Sequence, residues 1–129
     1  MVSSALSASF FLQIHLILTD PHQDTWSRYS GGSGAPGWTF EVVGLDLTTF
    51  KETGSAFLQQ FAGAKDVFNM IWPTNYTKLA SATMFTVFFA GNTFAPKTLY
   101  KGEHVQDYLQ RHFIACYEHL AAYVYKHVE

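Results

Sequence analysis

Three stretches of the chain carry regular patterns of apolar residues. Phe10–Leu18 is a short apolar run, interrupted by Gln13 and His15, and it predicts a buried β-strand. Tyr76–Ala90 is apolar on nearly every side, which is typical of a helix that is buried or that needs a partner to bury it. Glu103–His127 carries its apolar residues along one stripe and predicts an amphipathic helix.

Turn-forming residues separate these predicted elements. Gly91-Asn92 is expected to end the Tyr76–Ala90 helix, and Pro96 to prevent it from resuming. Asp46–Phe50 and Thr53–Ser55 have the residue types of helix caps and turns around short helices.

A glycine-rich loop occupies Ser30–Gly37, between Trp26 and Trp38. It lacks both the Lys-Ser/Thr pair and the glycine spacing of a phosphate-binding loop. One hypothesis is that its glycines let the backbone approach a ligand. The alternative is a flexible linker, which the flanking tryptophans disfavour.

The predicted C-terminal helix carries several candidate reactive groups. Asp107 and Arg111 have the i,i+4 spacing of a surface ion pair. Cys116 falls within the apolar stripe and is interpreted as a small buried hydrophobe. The helix also carries four histidines, each about 10–12 Å from the next at the helical rise, so no two can share one metal ion. The residues of the predicted apolar stripe are Val105, Tyr108, Leu109, Cys116, Leu120 and Tyr123.

Composition excludes several classes of protein. The 129 residues carry a net charge of −2 with only eight Lys and Arg, which argues against nucleic-acid binding. One cysteine rules out an internal disulfide and a cysteine-rich zinc module. Hydrophobic residues make up 48% and aromatic residues 17%, as expected for a chain with a core and aromatic walls. The apolar run is too short to span a membrane.

The N-terminus and one sequon bear on the cellular location. No Lys or Arg precedes Arg28, so a signal peptide is the weaker alternative to a strand at Phe10–Leu18, and a cytoplasmic location is favoured. Without a signal peptide, the glycosylation sequon Asn75-Tyr76-Thr77 is interpreted as incidental.

The segment most suggestive of function is Asp20–Tyr29, directly after the predicted strand. It combines two carboxylates, an imidazole, an amide, a guanidinium and an indole. Sugar sites use this set, with charged groups for hydroxyl contacts and an indole for stacking on the ring. A solvated loop with capping residues is the alternative, and the residue types alone do not separate the two.

This segment, Asp20-Pro-His-Gln-Asp-Thr-Trp-Ser-Arg-Tyr-Ser-Gly-Gly-Ser-Gly-Ala-Pro, resembles the third-strand motif of glycoside hydrolase family 5. The most similar group is the fungal glucosylceramidase and steryl β-glucosidase branch, related to endoglycoceramidases. The resemblance extends from about residue 16 to the end, whereas residues 1–15 do not resemble the preceding barrel unit. Three later stretches agree: Gly44-Leu-Asp-Leu-Thr-Thr-Phe, Trp72-Pro through Lys78-Leu-Ala-Ser-Ala-Thr-Met-Phe, and Phe88-Phe-Ala-Gly-Asn-Thr-Phe-Ala-Pro-Lys.

The resemblance implies roles for five residues. In that branch, the His and the second Asp of the His-Gln-Asp triplet bind the terminal glucose, which implies this role for His22 and Asp24. Trp26 is implied to shape the walls of the substrate site, together with the loop through Trp38. Asp20 and Arg28 are implied to support these residues. No cofactor and no metal are implied.

The resemblance also implies a fold and an activity. The fold class is α/β: a partial (β/α)₈ TIM barrel of about one strand, a long insertion and one barrel helix, helix-rich on its own, whereas a whole barrel needs about 250 residues. Residues 16–129 would be a fragment of one barrel domain. Family members are retaining enzymes with two glutamates about 5–5.5 Å apart.

The acid/base glutamate of the family lies in an Asn-Glu pair, which this sequence lacks. We therefore expect a fragment of a retaining β-glycosidase of glucosylated lipids, glucosylceramide or a steryl glucoside, without either catalytic glutamate. Its expected partners are such a β-glucoside and the rest of the barrel. The alternative is a non-catalytic module that binds carbohydrate or lipid.

Overall fold

The computed structural model of the chain describes residues 24–58 and 71–127. The predicted strand Phe10–Leu18, and with it Asp20 and His22, lies outside the described residues. The described part is rich in helix, as expected, with one two-stranded sheet. Its elements in chain order are α1 (Trp38–Val43), α2 (Ile71–Asn75), α3 (Leu79–Phe94), β1 (Leu99–Tyr100), β2 (Glu103–His104) and α4 (Val105–His127), with 3-10 turns at Arg28–Ser30 and Leu47–Thr49.

Helix α3 contains a kink that the sequence pattern did not predict. Ala90 has non-helical backbone angles (φ −144°, ψ 22°), and two side chains of α4 bind the backbone groups next to it. The Asn92 amide donates to Gln106 Oε1 at 2.8 Å, and Gln110 Nε2 donates to the Phe88 carbonyl at 2.6 Å. In a regular helix this amide and this carbonyl would pair with each other, so α4 supplies the partners that the kink removes.

The predicted end of α3 at Gly91-Asn92 was therefore wrong, because the helix continues to Phe94. Gly91 is buried where α3 meets α4, and a Cβ at this position would lie 3.2 Å from Gln106 Cβ. The glycine thus permits close helix packing here. The chain leaves the helix at Ala95, directly before Pro96.

Helix α4 begins two residues later than predicted, because Glu103 and His104 form β2. They pair antiparallel with β1, with Leu99 opposite His104 and Tyr100 opposite Glu103. The connecting residues Lys101 and Gly102 both have positive φ, 52° and 84°, as a type I′ hairpin turn requires.

The predicted Asp107–Arg111 pair does not form. Arg111 instead reaches Glu103 at 2.5 Å, and Asp107 accepts from Asn92 Nδ2 at 2.9 Å. The hydrogen bond from Arg111 holds the pKa of the Glu103 carboxyl below its ordinary value. Glu103 is the stronger partner because the hairpin places its carboxylate beside Arg111, where the guanidinium contacts both of its oxygens.

The core lies where α3 and α4 meet the loop that begins at Asp24. Only the first part of the predicted α4 stripe is buried, at Val105 and Leu109. Cys116 is exposed, so its interpretation as a buried residue was wrong. Leu120 and Tyr123 are also exposed, because no described part of the chain covers that end of the helix. The buried apolar residues are Trp26, Phe40, Val42, Phe50, Ala56, Leu58, Ala80, Met84, Val87, Phe88, Val105 and Leu109.

None of the helices in the described ranges is long and apolar enough to cross a membrane.

Asn75, the sequon asparagine, is a structural residue. Its side chain is fully buried and bridges α2 to the segment at Phe57. Its Oδ1 accepts the Phe57 amide at 2.7 Å, and its Nδ2 donates to the carbonyls of Phe57 and Ile71 at 2.6 and 2.9 Å. In this conformation Nδ2 is buried and hydrogen-bonded.

Two variants that both destroy the sequon should therefore differ in stability. Asn75→Ala leaves buried backbone groups unpaired and should lower the free energy of unfolding by about 3 kcal/mol. Thr77→Ala removes only an exposed hydroxyl that donates to the Thr74 carbonyl, and should cost less than about 0.5 kcal/mol. Denaturant unfolding followed by circular dichroism measures both. Equal losses would contradict a structural role for Asn75.

Candidate functional site

The Asp24–Trp26 turn has a strained backbone. Asp24 and Trp26 both have positive φ, 37° and 81°, although neither is glycine. A bulky residue such as tryptophan rarely adopts this conformation, and such strain persists only where surrounding contacts hold it. It concentrates at functional sites, and this turn carries two of the residues that the sequence singled out.

Hydrogen bonds hold Trp26 in this conformation. Its indole Nε1 donates to Thr39 Oγ1 at 2.9 Å, and its carbonyl accepts the Ala35 amide at 2.8 Å. Thr39 Oγ1 in turn donates to the Pro36 carbonyl at 2.7 Å. The glycine-rich loop and the start of α1 thus fix both ends of the residue.

A buried network formed by two serine hydroxyls and the Thr25 carbonyl supports the same turn. Thr25, Ser27 and Ser30 are fully buried. Ser30 Oγ donates to the Thr25 carbonyl at 2.5 Å and accepts the Ser27 amide at 3.1 Å. Ser27 Oγ accepts the Tyr29 amide, which completes a capping box around the 3-10 turn. The network rigidifies the segment before any ligand binds.

The Asp24 carboxylate faces the glycine-rich loop. Its Oδ2 accepts the Ser33 amide at 3.1 Å. A Cβ at Gly32 would lie 2.8 Å from this oxygen and 2.5 Å from Thr25 Oγ1. A Cβ at Gly31 would lie even closer to a neighbour, 2.0 Å from Asn75 Nδ2. The glycines at these two positions therefore let the backbone approach the protein's own polar groups. These contacts alone require glycine at both positions, whether or not a ligand binds.

The indole of Trp26 packs against two aromatic rings of α3. It meets Phe85 edge-on at 5.8 Å and Phe88 at 5.4 Å between ring centroids. Only 6% of Trp26 is exposed. If Trp26 forms part of a substrate wall, as the resemblance implies, it can touch a substrate only through this small exposed area or act through the rings that it contacts.

A mostly apolar groove of about 370 Å³ lies beside Trp26. His112 Nε2 is 3.7 Å from Cys116 Sγ, and the His112 ring packs edge-on against Trp38 at 4.8 Å. Among the described residues, no three potential ligands are grouped to hold a metal ion. The groove is lined by Trp26, Gly34, Ala35, Pro36, Thr39, Phe88, Leu109, His112, Phe113, Cys116, Tyr117 and Leu120.

Comparisons with known proteins show what this arrangement is similar to. The chain is 62% identical over 105 residues to a glucosylceramidase of Rhizopus delemar, covering 81% of this chain and 15% of that protein. It is 46% identical over 108 residues to the ergosteryl-beta-glucosidase of Saccharomyces cerevisiae, covering 75% of this chain and 14% of that protein. No protein-family profile matches the chain.

The fold is similar to solved structures of the same group. The crystal structure of Cryptococcus neoformans sterylglucosidase 1 with hit 9 matches with a TM-score of 0.75 and 45% identity, over 84% of this chain and 16% of that one. The chain is related to a segment of the fungal glucosylceramidases and sterylglucosidases. It spans about 15% of the length of the relatives that it matches.

In this glucosylceramidase-related segment, the structure brings together only some of the predicted site residues. Asp24 and Trp26 share one rigid turn, whereas His22 and Asp20 precede the described residues. Arg28 is exposed at the start of the 3-10 turn, and within the described ranges it forms no ion pair with Asp24. The roles of all five therefore stay predictions.

Sequence reasoning missed the residues that hold the turn. Thr39 fixes the indole of Trp26, and Ser27 and Ser30 form its capping box. A signal for the box was present, because Ser-x-x-Ser has the spacing of an N-cap residue and its N3 partner. No local signal indicated Thr39, which becomes a neighbour of Trp26 only through the fold of the loop.

Proposed function

We propose that this chain forms part of the glucose-binding site of a retaining β-glycosidase of family 5 that acts on glucosylated lipids. The Asp24–Trp26 turn, strained and held by hydrogen bonds at Trp26, is the observation that carries the proposal, in a chain whose relatives are named for glucosylceramide and ergosteryl glucoside. In this proposal residues 16–129 belong to one (β/α)₈ barrel, and residues 1–15 lie before it.

Asp24 and His22 bind the terminal glucose in this proposal. Asp24 Oδ2 accepts the Ser33 amide, and in this proposal Oδ1 accepts a hydrogen bond from a sugar hydroxyl. Such a charge-assisted hydrogen bond is strong and directional. Because the loop is already ordered, binding does not have to supply the entropy cost of fixing the carboxylate.

Trp26 and the groove beside it form a wall of the substrate site, and Asp20 and Arg28 support the glucose-binding residues. Hydrolysis itself needs an acid/base and a nucleophile. We assign both to glutamates outside these 129 residues, because the Asn-Glu pair of the family is absent from the sequence. The role of the chain is then binding and orientation of the substrate.

A graft enzyme tests this proposal. It is the Rhizopus delemar glucosylceramidase in which the 105-residue matching segment is replaced by the corresponding residues of this chain. The two segments are 62% identical, so we expect the graft enzyme to fold. In the graft enzyme, Asp24→Ala should lower kcat/KM for an aryl β-glucoside by about 10- to 100-fold, as expected for one charge-assisted hydrogen bond to a sugar.

Asp46→Ala is the matched control. Asp46 is also a loop carboxylate, and it accepts the Thr48 amide at 2.9 Å and the Thr48 hydroxyl at 2.7 Å. Both variants therefore lose a local cap, but only Asp24 belongs to the proposed glucose site. If both lowered kcat/KM equally, the assignment of Asp24 would be wrong. If the graft enzyme bound glucosides without turning them over, a non-catalytic carbohydrate-binding module would be favoured.

A further inference from the structure

A single buried hydroxyl joins the two segments that hold the Asp24–Trp26 turn. Thr39 Oγ1 accepts the hydrogen bond from Trp26 Nε1 at 2.9 Å and donates to the Pro36 carbonyl at 2.7 Å. Only 4% of Thr39 is exposed. A hydroxyl has one proton to donate, so this one binds the turn as an acceptor and the glycine-rich loop as a donor.

These contacts form a closed path that returns to Asp24. The Asp24 carboxylate accepts the Ser33 amide at 3.1 Å, and the chain runs from Ser33 to Pro36. Pro36 binds the Thr39 hydroxyl, and the same hydroxyl binds Trp26, which lies two residues after Asp24. We call this closed path the hydrogen-bonded cycle. It ties the side chain of Asp24 to the indole of Trp26 from both directions.

The hydrogen-bonded cycle opposes the backbone strain of the turn. Residues other than glycine are disfavoured at positive φ, and Asp24 and Trp26 both adopt it. Loss of the Thr39 hydroxyl would leave the buried indole N–H without an acceptor, which is costly. We expect the indole and its strained turn to shift in response, and the Asp24 carboxylate to shift with them.

We propose that Thr39 is a positioning residue for glucose binding, an inference that rests on the proposed function. Its hydroxyl keeps the Asp24 carboxylate in the orientation that accepts a sugar hydroxyl, and it acts through Trp26 on one side and the glycine-rich loop on the other. A carboxylate held in place before binding loses less entropy when the sugar arrives. Thr39 thus contributes to binding through Asp24.

Thr39→Val in the graft enzyme tests this role, because valine keeps the shape of the side chain and removes the hydroxyl. It should lower kcat/KM for an aryl β-glucoside about 5-fold, as expected for one hydrogen bond. This loss is smaller than that of Asp24→Ala, because the carboxylate is displaced and not removed. Thr39→Ser keeps the hydroxyl and should stay within about 2-fold of the unsubstituted graft enzyme. A serine variant as poor as the valine variant would overturn the proposal.

Thr49→Val is the matched control. Thr49 Oγ1 donates to the Asp46 carbonyl three residues earlier at 2.9 Å, just as Thr39 Oγ1 donates to the Pro36 carbonyl. Thr49 is outside the hydrogen-bonded cycle, so its substitution should change kcat/KM less than about 2-fold. Equal losses from the two valine variants would overturn the proposal, because the hydroxyl of Thr39 would then have no special effect.

A double variant separates positioning from a general loss of stability. In the graft enzyme that already carries Asp24→Ala, Thr39→Val should lower kcat/KM less than about 2-fold further, because no carboxylate remains to be positioned. A loss caused by partial unfolding would instead persist at about 5-fold in that background. Additive losses would therefore overturn the proposal.

Trp26→Phe removes the same hydrogen bond from its other side. It leaves no buried N–H unpaired, so it carries the test if Thr39→Val does not fold. We expect a loss of about 3- to 5-fold in kcat/KM that is absent in the Asp24→Ala background. A folded Trp26→Phe enzyme with unchanged kcat/KM would overturn the proposal.

The outcomes separate this inference from the proposed function. If Asp24→Ala left kcat/KM unchanged, the glucose site itself would be wrong. If Asp24→Ala lowered kcat/KM while Thr39→Val had no effect, or had the same effect with and without Asp24, the glucose site would stand and the positioning role of Thr39 would be wrong.

Discussion

Replacing Gly31 by Ala should unfold much of the described structure, whereas the same change at Gly102 should be mild. The two glycines have nearly the same φ, +87° and +84°, so both replacements carry the strain of a left-handed residue, about 1–2 kcal/mol. Only Gly31 is also enclosed. Its Cβ would lie 2.0 Å from Asn75 Nδ2 and 3.0 Å from the Phe57 carbonyl, while Gly102 has nothing within 4 Å.

We expect Gly31→Ala to cost about 4 kcal/mol or more, because the buried Asn75 side chain cannot move without breaking its hydrogen bonds. Denaturant unfolding of the full chain and of the graft enzyme measures the difference from Gly102→Ala. The double variant Gly31→Ala/Asn75→Ala should lose less than the sum of its single losses, because the clash is then relieved. Equal losses at Gly31 and Gly102 would contradict the close approach.

The pattern of apolar residues predicted the two long helices, α3 from a nearly continuous apolar run and α4 from a stripe along one face, because both are local properties of the sequence. It did not predict the kink at Ala90, which depends on Gln106 and Gln110 of another helix. It also assigned Glu103 and His104 to a helix, although they pair with β1. In both cases, the deciding partner lies elsewhere in the chain.

The wrong assignment of Cys116 has a related cause. Periodicity identifies the apolar face of α4 but not how much of that face another part of the protein covers. In this structure the first turns are covered by α3 and the later turns are exposed. The sequence pattern alone therefore overestimated the buried length of the helix.

Residue chemistry drew attention to the segment Asp20–Tyr29 but did not separate a sugar site from a capped loop. The family resemblance singled out Asp24 and Trp26, and the structure has both in one turn. Their positive φ angles had no signal in the sequence, since tryptophan does not favour that conformation. The hydrogen bond from Trp26 to Thr39 and the contact with Phe85 arise only when the loop closes over α3.

The 129-residue chain alone should show no turnover of an aryl β-glucoside, even at high protein concentration, whereas the graft enzyme should hydrolyse it. Loss of a positioned acid/base or nucleophile costs about 10⁴-fold or more in rate. Groups that bind the ground state and the transition state equally do not lower the chemical barrier. The glutamates of this chain are poor substitutes, and Glu103, for example, is held by Arg111 with its pKa lowered, the opposite of what a general acid requires.

The measurement is the rate at which each protein, at the same concentration, releases the aryl alcohol from the aryl β-glucoside. Glu103→Gln and Glu118→Gln in the chain are the controls, because they remove the two described glutamates nearest to or within α4. Turnover by the chain that either substitution abolished would place a catalytic carboxylate within these residues. The proposal that this chain only binds and orients the substrate would then be wrong.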